Sequence, residues 1–131
     1  MKTLVVEDDF VSSVLLDELL KGYGPVTAAV SGKEAVAAAL DAFSMGEPYD
    51  LICLDIMMPE MDGQEVLRQI RSTEAALGLV SGKRARVFMT TALADLKNVR
   101  AAIDGACDAY LLKPIDKARL LSELRKFGLI P

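Results

Sequence analysis

The sequence predicts an α/β fold, a doubly wound five-stranded parallel sheet with helices on both faces. Short apolar runs alternate five times with longer stretches of helical periodicity along the 131 residues. The apolar runs are nearly continuous, which is typical of strands covered on both faces. Repeated β-α units favour parallel strands joined by right-handed crossovers. We therefore expect residues 1–131 to form a single domain.

Five apolar runs are the predicted strands, over residues 3–7, 26–30, 50–55, 86–91 and 108–112. Acidic residues end two of them. Glu7, Asp8 and Asp9 follow Leu4-Val5-Val6, and Asp55 follows Leu51-Ile52-Cys53-Leu54. Ligands of open α/β sheets bind outside the carboxyl ends of the strands. These acidic residues are therefore the first candidates for a functional site.

The predicted helices lie between the strands and begin at polar residues. Ser31 with Glu34, and Asp62 with Glu65, have the spacing of side chains that cap a first turn. We expect helices over about residues 10–22, 31–44, 62–77 and 116–127. A further helix, fourth in chain order, is expected to be capped by Asp95 and to bury Leu96, Val99 and Ile103.

Composition excludes several classes of function. The chain has no histidine, so it has no Ser-His or Cys-His catalytic pair, no His-ligated metal and no phosphohistidine of its own. A net charge of -4 gives nucleic acid binding no support. Cys53 and Cys107 lack metal or redox spacing. With no membrane-spanning run and no signal peptide, we expect a cytoplasmic protein with no membrane or nucleic acid partner.

If strands one and three are neighbours, Glu7 and Asp8 meet Asp55 at one edge of the sheet. Clustered carboxylates repel one another, and a divalent cation relieves that repulsion. Oxygen ligands with room for water suit Mg²⁺, or Mn²⁺ in its place. Aspartate is also a competent phosphoryl acceptor, so Asp55 is a candidate for that role.

Two more polar residues end predicted strands. Thr91 ends the fourth, where its hydroxyl is placed to hydrogen-bond a phosphoryl oxygen. Lys113 ends the fifth, where its ammonium is placed to neutralise phosphoryl charge. Pro114 follows Lys113, and only an X-Pro bond adopts the cis form at modest cost. We therefore expect a cis peptide between Lys113 and Pro114.

The set of motifs resembles the receiver domain of two-component response regulators, in its stand-alone form related to the chemotaxis regulator. The motifs occur in that family's order: Val5-Val6-Glu7-Asp8-Asp9, Leu54-Asp55 through Asp62-Gly63, Met89-Thr90-Thr91-Ala92 and Tyr110-Leu111-Leu112-Lys113-Pro114. The resemblance implies a flavodoxin-like (βα)5 fold with strand order 2-1-3-4-5. It also implies a single receiver domain over 1–131 without an effector domain.

By this resemblance, Asp55 is the phosphoacceptor. The metal is expected to be held by Glu7, Asp8 and Asp55, and by the carbonyl of Met57. Thr91, the amide of Ala92 and Lys113 are expected to hold phosphoryl oxygens. Tyr110 resembles the switch aromatic that turns inward as Thr91 moves, which alters the face made by helix four, strand five and helix five.

The resemblance implies a phosphohistidine donor in trans, either a histidine kinase or a histidine phosphotransfer protein, and a downstream protein target that the sequence does not name. The chain is then no enzyme beyond accepting the phosphoryl group and slowly losing it. Met57 and Leu93 are apolar, which favours slow hydrolysis. Alternatives are a phosphorelay intermediate or phosphate sink, and a non-phosphorylated interaction module. A haloacid dehalogenase phosphatase needs a second Asp where Met57 stands.

Overall fold

A computed structural model describes residues 1–79, 84–92 and 107–131. Its five strands are all parallel and lie in the order β2-β1-β3-β4-β5. They are β1 (Thr3–Val6), β2 (Val26–Ala29), β3 (Leu51–Asp55), β4 (Arg86–Ala92) and β5 (Ala109–Lys113). The predicted fold class and strand order are confirmed, with strand ends shifted by a residue or less.

Among the described residues, four α-helices pack on the sheet: α1 (Phe10–Leu20), α2 (Gly32–Ser44), α3 (Gly63–Ala76) and the C-terminal helix (Lys117–Lys126). The first of them ends at Leu20, two residues before the expected stop at Gly22. A 3-10 turn over Lys21–Tyr23 follows it. The helix predicted from Asp95 through Ile103 lies outside the described residues, as does Leu93. None of the described helices is long and apolar enough to span a bilayer.

A side-chain oxygen caps the first turn of each of these helices. Asp9, Ser31, Asp62 and Asp116 each accept the backbone N–H three residues further along. Each bond satisfies an amide that has no partner within the helix. Because every helix follows a strand, the caps place all four helix starts at the carboxyl edge of the sheet.

The sheet is buried on both faces, as the continuous apolar runs predict. Leu4, Val6, Ile52 and Leu54 face a core that includes Ala35 and Ala39 of α2 and Val66 and Ile70 of α3. Val5, Leu51, Cys53 and Phe88 face a second core with Leu16 and Leu20 of α1 and Leu120 and Leu124 of the C-terminal helix. Within the described part of the chain, two helices therefore cover each face. Burial raises the pKa of the Cys53 thiol to about 12, which keeps it protonated.

A buried polar network holds the amino-terminal edge of the sheet. Glu74 is fully buried, and its carboxylate lies 2.7 Å from Arg71 Nη1 and accepts the Ala85 N–H at 2.8 Å. Arg71 also contacts Asp108 at 3.2 Å, and Asp108 pairs with Arg86 at 3.2 Å. The network joins the end of α3 to the first residues of β4 and β5.

Candidate functional site

Strand register brings the acidic residues to one level at the carboxyl edge. Val6 of β1 pairs with Leu54 of β3, so Glu7 and Asp55 come next on adjacent strands. Glu7 and Asp55 are 1% and 3% exposed, whereas Asp8 is exposed. One carboxylate oxygen from each of Glu7, Asp8 and Asp55 lies within 4.8 Å of the other two. The adjacency that the sequence analysis had to assume is therefore present.

Asp9 does not belong to this carboxylate group. Its carboxylate accepts the Ser12 N–H at 3.1 Å and the Ser12 hydroxyl at 2.7 Å, and it caps α1. These hydrogen bonds lower the pKa of Asp9. The sequence analysis grouped Asp9 with its acidic neighbours, although the Asp-x-x-Ser spacing was a readable signal of a cap.

Lys113 reaches across β4 to the carboxylates. Its Nζ lies 2.8 Å from Glu7 Oε2 and 3.2 Å from Asp55 Oδ2. Burial alone would lower the pKa of the Lys113 ammonium, but its contacts with Glu7 and Asp55 outweigh burial, so the pKa is raised. Lys113 therefore carries a positive charge at this edge. The Lys113–Pro114 peptide bond is cis.

Glu7 has an unusual protonation equilibrium. Its pKa is raised to about 7, because burial first and the neighbouring Asp55 second raise it by more than Lys113 and the Asp9 amide lower it. Its buried Oε2 lies 2.8 Å from Lys113 Nζ, so the two groups form an ion pair. Because Glu7 and Asp55 share this ammonium and Asp8 adds a third carboxylate, the group favours a further cationic ligand.

The residues present fit a magnesium ion. The donor set contains only carboxylate oxygens, which are hard ligands of the kind that Mg²⁺ prefers. The exposed Asp8 leaves one side of the group open to water. Met57, whose carbonyl is the fourth expected ligand, follows Asp55 by two residues and donates its N–H to Asp55 Oδ1 at 3.1 Å.

The loop after β3 is held against the Asp55 backbone. Gly63 donates its N–H to the Ile56 carbonyl at 3.0 Å. A Cβ at position 63 would lie 2.4 Å from the Asp55 carbonyl oxygen, so only glycine allows this approach. Glu60 has a left-handed φ of 67°, which is uncommon for a residue with a side chain. The sequence analysis named Gly63 only as the end of a motif and did not identify this contact.

Thr91 and Ala92 end β4, beside the acidic group. Asp55 pairs with Thr90, so Thr91 lies one residue beyond the level of Asp55. Thr91 is buried, and its hydroxyl donates to the Ala92 carbonyl at 3.3 Å, while Ala92 is exposed. As far as the described residues show, this weak local bond is the one hydrogen bond of the hydroxyl, which is therefore available to another acceptor. Tyr110, opposite Met89 on β5, is half-buried and packs against the core that contains Met89.

Comparison with known proteins gives one consistent family. The family model of the response regulator receiver domain matches residues 3–125. The hybrid signal transduction histidine kinase L of Dictyostelium discoideum is 34% identical over 128 residues, which are 97% of this chain. Those residues are 7% of that kinase, so the chain spans a small part of this relative.

Two solved receiver-domain structures have the same fold as this chain and share 26% and 30% of its sequence. The receiver domain of the histidine kinase CKI1 from Arabidopsis thaliana, complexed with Mg²⁺ and BeF₃⁻, is 30% identical with a TM-score of 0.73, covering 96% of this chain and 88% of that one. The receiver domain of Ssk1, crystallised with the phosphotransfer protein Ypd1 of Saccharomyces cerevisiae, is 26% identical with a TM-score of 0.79, covering 98% and 88%.

Proposed function

This chain belongs to the response regulator receiver family, and on that premise we propose that Asp55 accepts a phosphoryl group from a phosphohistidine of a partner protein. The observation that carries the proposal is the grouping of Glu7, Asp8 and Asp55 within 4.8 Å, with Lys113 Nζ 3.2 Å from Asp55. Receiver domains are generally signalling domains. A single phosphoryl transfer, followed by slow loss, fits that role.

The reaction is a displacement at phosphorus. An Asp55 carboxylate oxygen forms a bond to phosphorus as the bond from phosphorus to the partner's imidazole nitrogen breaks. That nitrogen keeps the electron pair and takes a proton from solvent, and Asp55 becomes an acyl phosphate. The histidine belongs to the partner because this chain has none. Positioning and charge neutralisation supply most of the rate in transfers of this kind.

Glu7, Asp8 and Asp55, with the Met57 carbonyl, would hold a magnesium ion, which when bound offsets negative charge on the carboxylates and phosphoryl oxygens. Lys113 would pair with a phosphoryl oxygen in place of Glu7 and Asp55. Thr91 would donate its hydroxyl to a second oxygen, and the exposed Ala92 would offer its amide to a third. The partner is a histidine kinase or a histidine phosphotransfer protein.

Phosphorylation of Asp55 would then change the packing of Tyr110. Movement of the Thr91 hydroxyl toward the phosphoryl group would vacate space, and the half-buried Tyr110 ring would turn inward to fill it. This alters the surface of β5 and the elements that flank it, which is the face we propose for a downstream protein. Discrete packing arrangements of this kind allow a small local change to bias a larger surface.

A place within a phosphorelay is the second candidate function. The similarity to a hybrid histidine kinase and to a receiver crystallised with a phosphotransfer protein favours it. Both functions use the same site, so they differ in the fate of the phosphoryl group. Membership of the receiver family leaves the haloacid dehalogenase interpretation without support, in keeping with Met57 at the position where that mechanism needs an acid.

Mass spectrometry after incubation with Mg²⁺ and acetyl phosphate tests the proposed function. We expect one added phosphoryl group on the wild-type chain and none on the Asp55→Asn variant, because the amide oxygen is a poor nucleophile. Asp41→Asn changes an exposed aspartate of α2 and should leave the labelling intact. Labelling should also fail with excess EDTA. Labelling that survives Asp55→Asn would overturn the assignment.

A further inference from the structure

One buried hydroxyl near the candidate site has no role in the proposed reaction. Thr90 of β4 is 1% exposed, and among the described residues its Oγ1 has no hydrogen-bond partner. The three residues before it on the strand, Val87, Phe88 and Met89, are buried and apolar. A valine would fill nearly the same space at position 90 without the cost of burying an unpaired hydroxyl. The hydroxyl at this position therefore calls for a functional explanation.

The alternation of side chains along the strands places Thr90 on the same face of the sheet as Asp55. Phe88 and Cys53 both face the core formed with α1 and the C-terminal helix. Thr90 and Asp55 follow them by two residues each, so they share that face. Their Cα atoms are register partners, and the Ile56 N–H donates to the Thr90 carbonyl at 3.0 Å. The two side chains are therefore direct neighbours on adjacent strands.

Lys113 extends over this face of the sheet from β5 toward β3. Strand β4 lies between those two strands, and Ala92 of β4 is the register partner of Lys113. The Lys113 Nζ lies 3.2 Å from Asp55 Oδ2 and 2.8 Å from Glu7 Oε2, so the side chain crosses β4 from the level of Ala92 to that of Thr90. An ammonium has three N–H donors, and these two carboxylates use two of them. The third is available to the Thr90 hydroxyl.

We propose that Thr90 is a positioning residue for phosphoryl transfer, and that its hydroxyl accepts an N–H of the Lys113 ammonium as the phosphoryl group attaches to Asp55. Attachment turns one carboxylate oxygen of Asp55 into the bridging oxygen to phosphorus, so the carboxyl group loses the negative charge that Lys113 contacts beforehand. Lys113 then turns toward a phosphoryl oxygen, and the Thr90 Oγ1 holds the ammonium in that position. The proposal rests on the proposed function of Asp55 and adds the residue that directs Lys113.

The rate of Asp55 phosphorylation by acetyl phosphate and Mg²⁺, followed by mass spectrometry, tests the proposal. Thr90→Val removes the hydroxyl and keeps the shape of the side chain, whereas Thr90→Ser keeps the hydroxyl. Thr3→Val is the matched control, because Thr3 is also 1% exposed and its hydroxyl also has no partner among the described residues. Thr3 begins β1 at the amino edge of the sheet, away from Asp55.

We expect Thr90→Val to lower the phosphorylation rate about tenfold, the loss typical of a hydrogen bond to a charged group. Thr90→Ser and Thr3→Val should react at nearly the wild-type rate. Thr90→Val and Thr3→Val should both shift the urea midpoint upward, because each removes a buried hydroxyl that none of the described residues pairs with. A slower reaction in a more stable variant excludes misfolding as the cause.

The Lys113→Met variant shows whether the hydroxyl acts through the ammonium. Adding Thr90→Val to it should cause no further loss of rate. An undiminished effect of Thr90→Val in that variant would overturn the proposal, as would equal rates for the wild type and Thr90→Val. A rate for Thr90→Ser as low as that for Thr90→Val would contradict the role of the hydroxyl. Failure of acetyl phosphate labelling in the wild type would instead contradict the function of Asp55.

Discussion

At the scale of single residues, the candidate site depends on charged groups that the fold holds close together and away from water. Glu7 and Asp55 are almost fully buried beside each other, and Lys113 is the cation that contacts both. This arrangement leaves Glu7 with a pKa of about 7, well above its ordinary value of 4.5. The folded chain therefore binds a proton at Glu7 more tightly than the unfolded chain does.

That difference predicts a pH dependence of stability in the absence of divalent cations. The contribution of Glu7 is complete below pH 4.5 and is lost as the pH rises through about 7. The free energy of unfolding should fall across this window by at most ~1.4 kcal/mol per pH unit. Urea unfolding of the wild type and of Glu7→Gln, compared at each pH, isolates the effect because glutamine does not titrate.

The expected difference between the two proteins changes steadily from pH 4.5 to 7. Asp9 has a lowered pKa, so its contribution is lost only as the pH falls toward and below 3.8, outside this window. A difference that is constant from pH 4.5 to 7 would contradict the raised pKa of Glu7. Adding Mg²⁺ at pH 7 should stabilise the wild type more than Glu7→Gln, since ligand binding to the folded state stabilises it.

At the scale of elements, the carboxyl and amino edges of the sheet differ in how their charged residues are paired. The carboxyl edge carries three mutually repelling carboxylates, of which those of Glu7 and Asp55 are buried, and this arrangement favours function over stability. The amino edge is held by the network of Glu74, Arg71, Asp108 and Arg86, and the Arg86 guanidinium also lies 5.0 Å from the centre of the Phe127 ring. The network therefore ties α3, β4 and β5 to the end of the C-terminal helix.

Removal of the buried carboxylate from this network should be costly. Glu74→Ala removes the 2.7 Å ion pair with Arg71 and leaves the Ala85 N–H without its acceptor. We expect a loss of about 3 kcal/mol in the free energy of unfolding, measured by chemical denaturation. In the same helix, Arg68 forms an exposed pair with Glu65, so Arg68→Ala should cost below ~1 kcal/mol. Equal losses for both variants would exclude a special role for the network.

At the scale of the whole molecule, phosphorylation and the response to it are proposed at different places on one sheet. The phosphodonor would approach Asp55 at the carboxyl edge, whereas the downstream protein would bind the surface of β5. Thr91 and Tyr110 lie on the adjacent strands β4 and β5, between the site and that surface. The proposal requires that one local event at Asp55 change the packing of Tyr110.

NMR spectra of the tyrosine rings test this coupling. We expect the Tyr110 resonances to shift on phosphorylation of Asp55, because the ring moves into space vacated by Thr91. Tyr49, buried just before β3 at the opposite edge, provides an internal control and should not shift. Thr91→Ala should remove the Tyr110 response while Asp55 is still labelled. A Tyr110 environment unchanged by phosphorylation would eliminate the switch.

Much of the fold could be predicted because its signals are local. The continuous apolar runs of β1 and β3 indicate strands covered on both faces, and Ser31, Asp62 and Asp116 are positioned to cap helices. The candidate site residues were predicted in the same way, as polar residues at strand ends. The cap at Asp9 was missed because Asp9 was grouped with the acidic residues before it, although its spacing from Ser12 is that of a helix cap.

The sequence by itself determined the periodicity, the caps and the identity of the polar residues at the strand ends, since each depends on neighbours along the chain. Tertiary structure alone decided that Glu7 lies level with Asp55, that Lys113 reaches both across β4, and that Arg71 meets Asp108. Distances between strands, burial and the resulting pKa of Glu7 arise from residues far apart in sequence. They exist only once strand order and register bring those residues together.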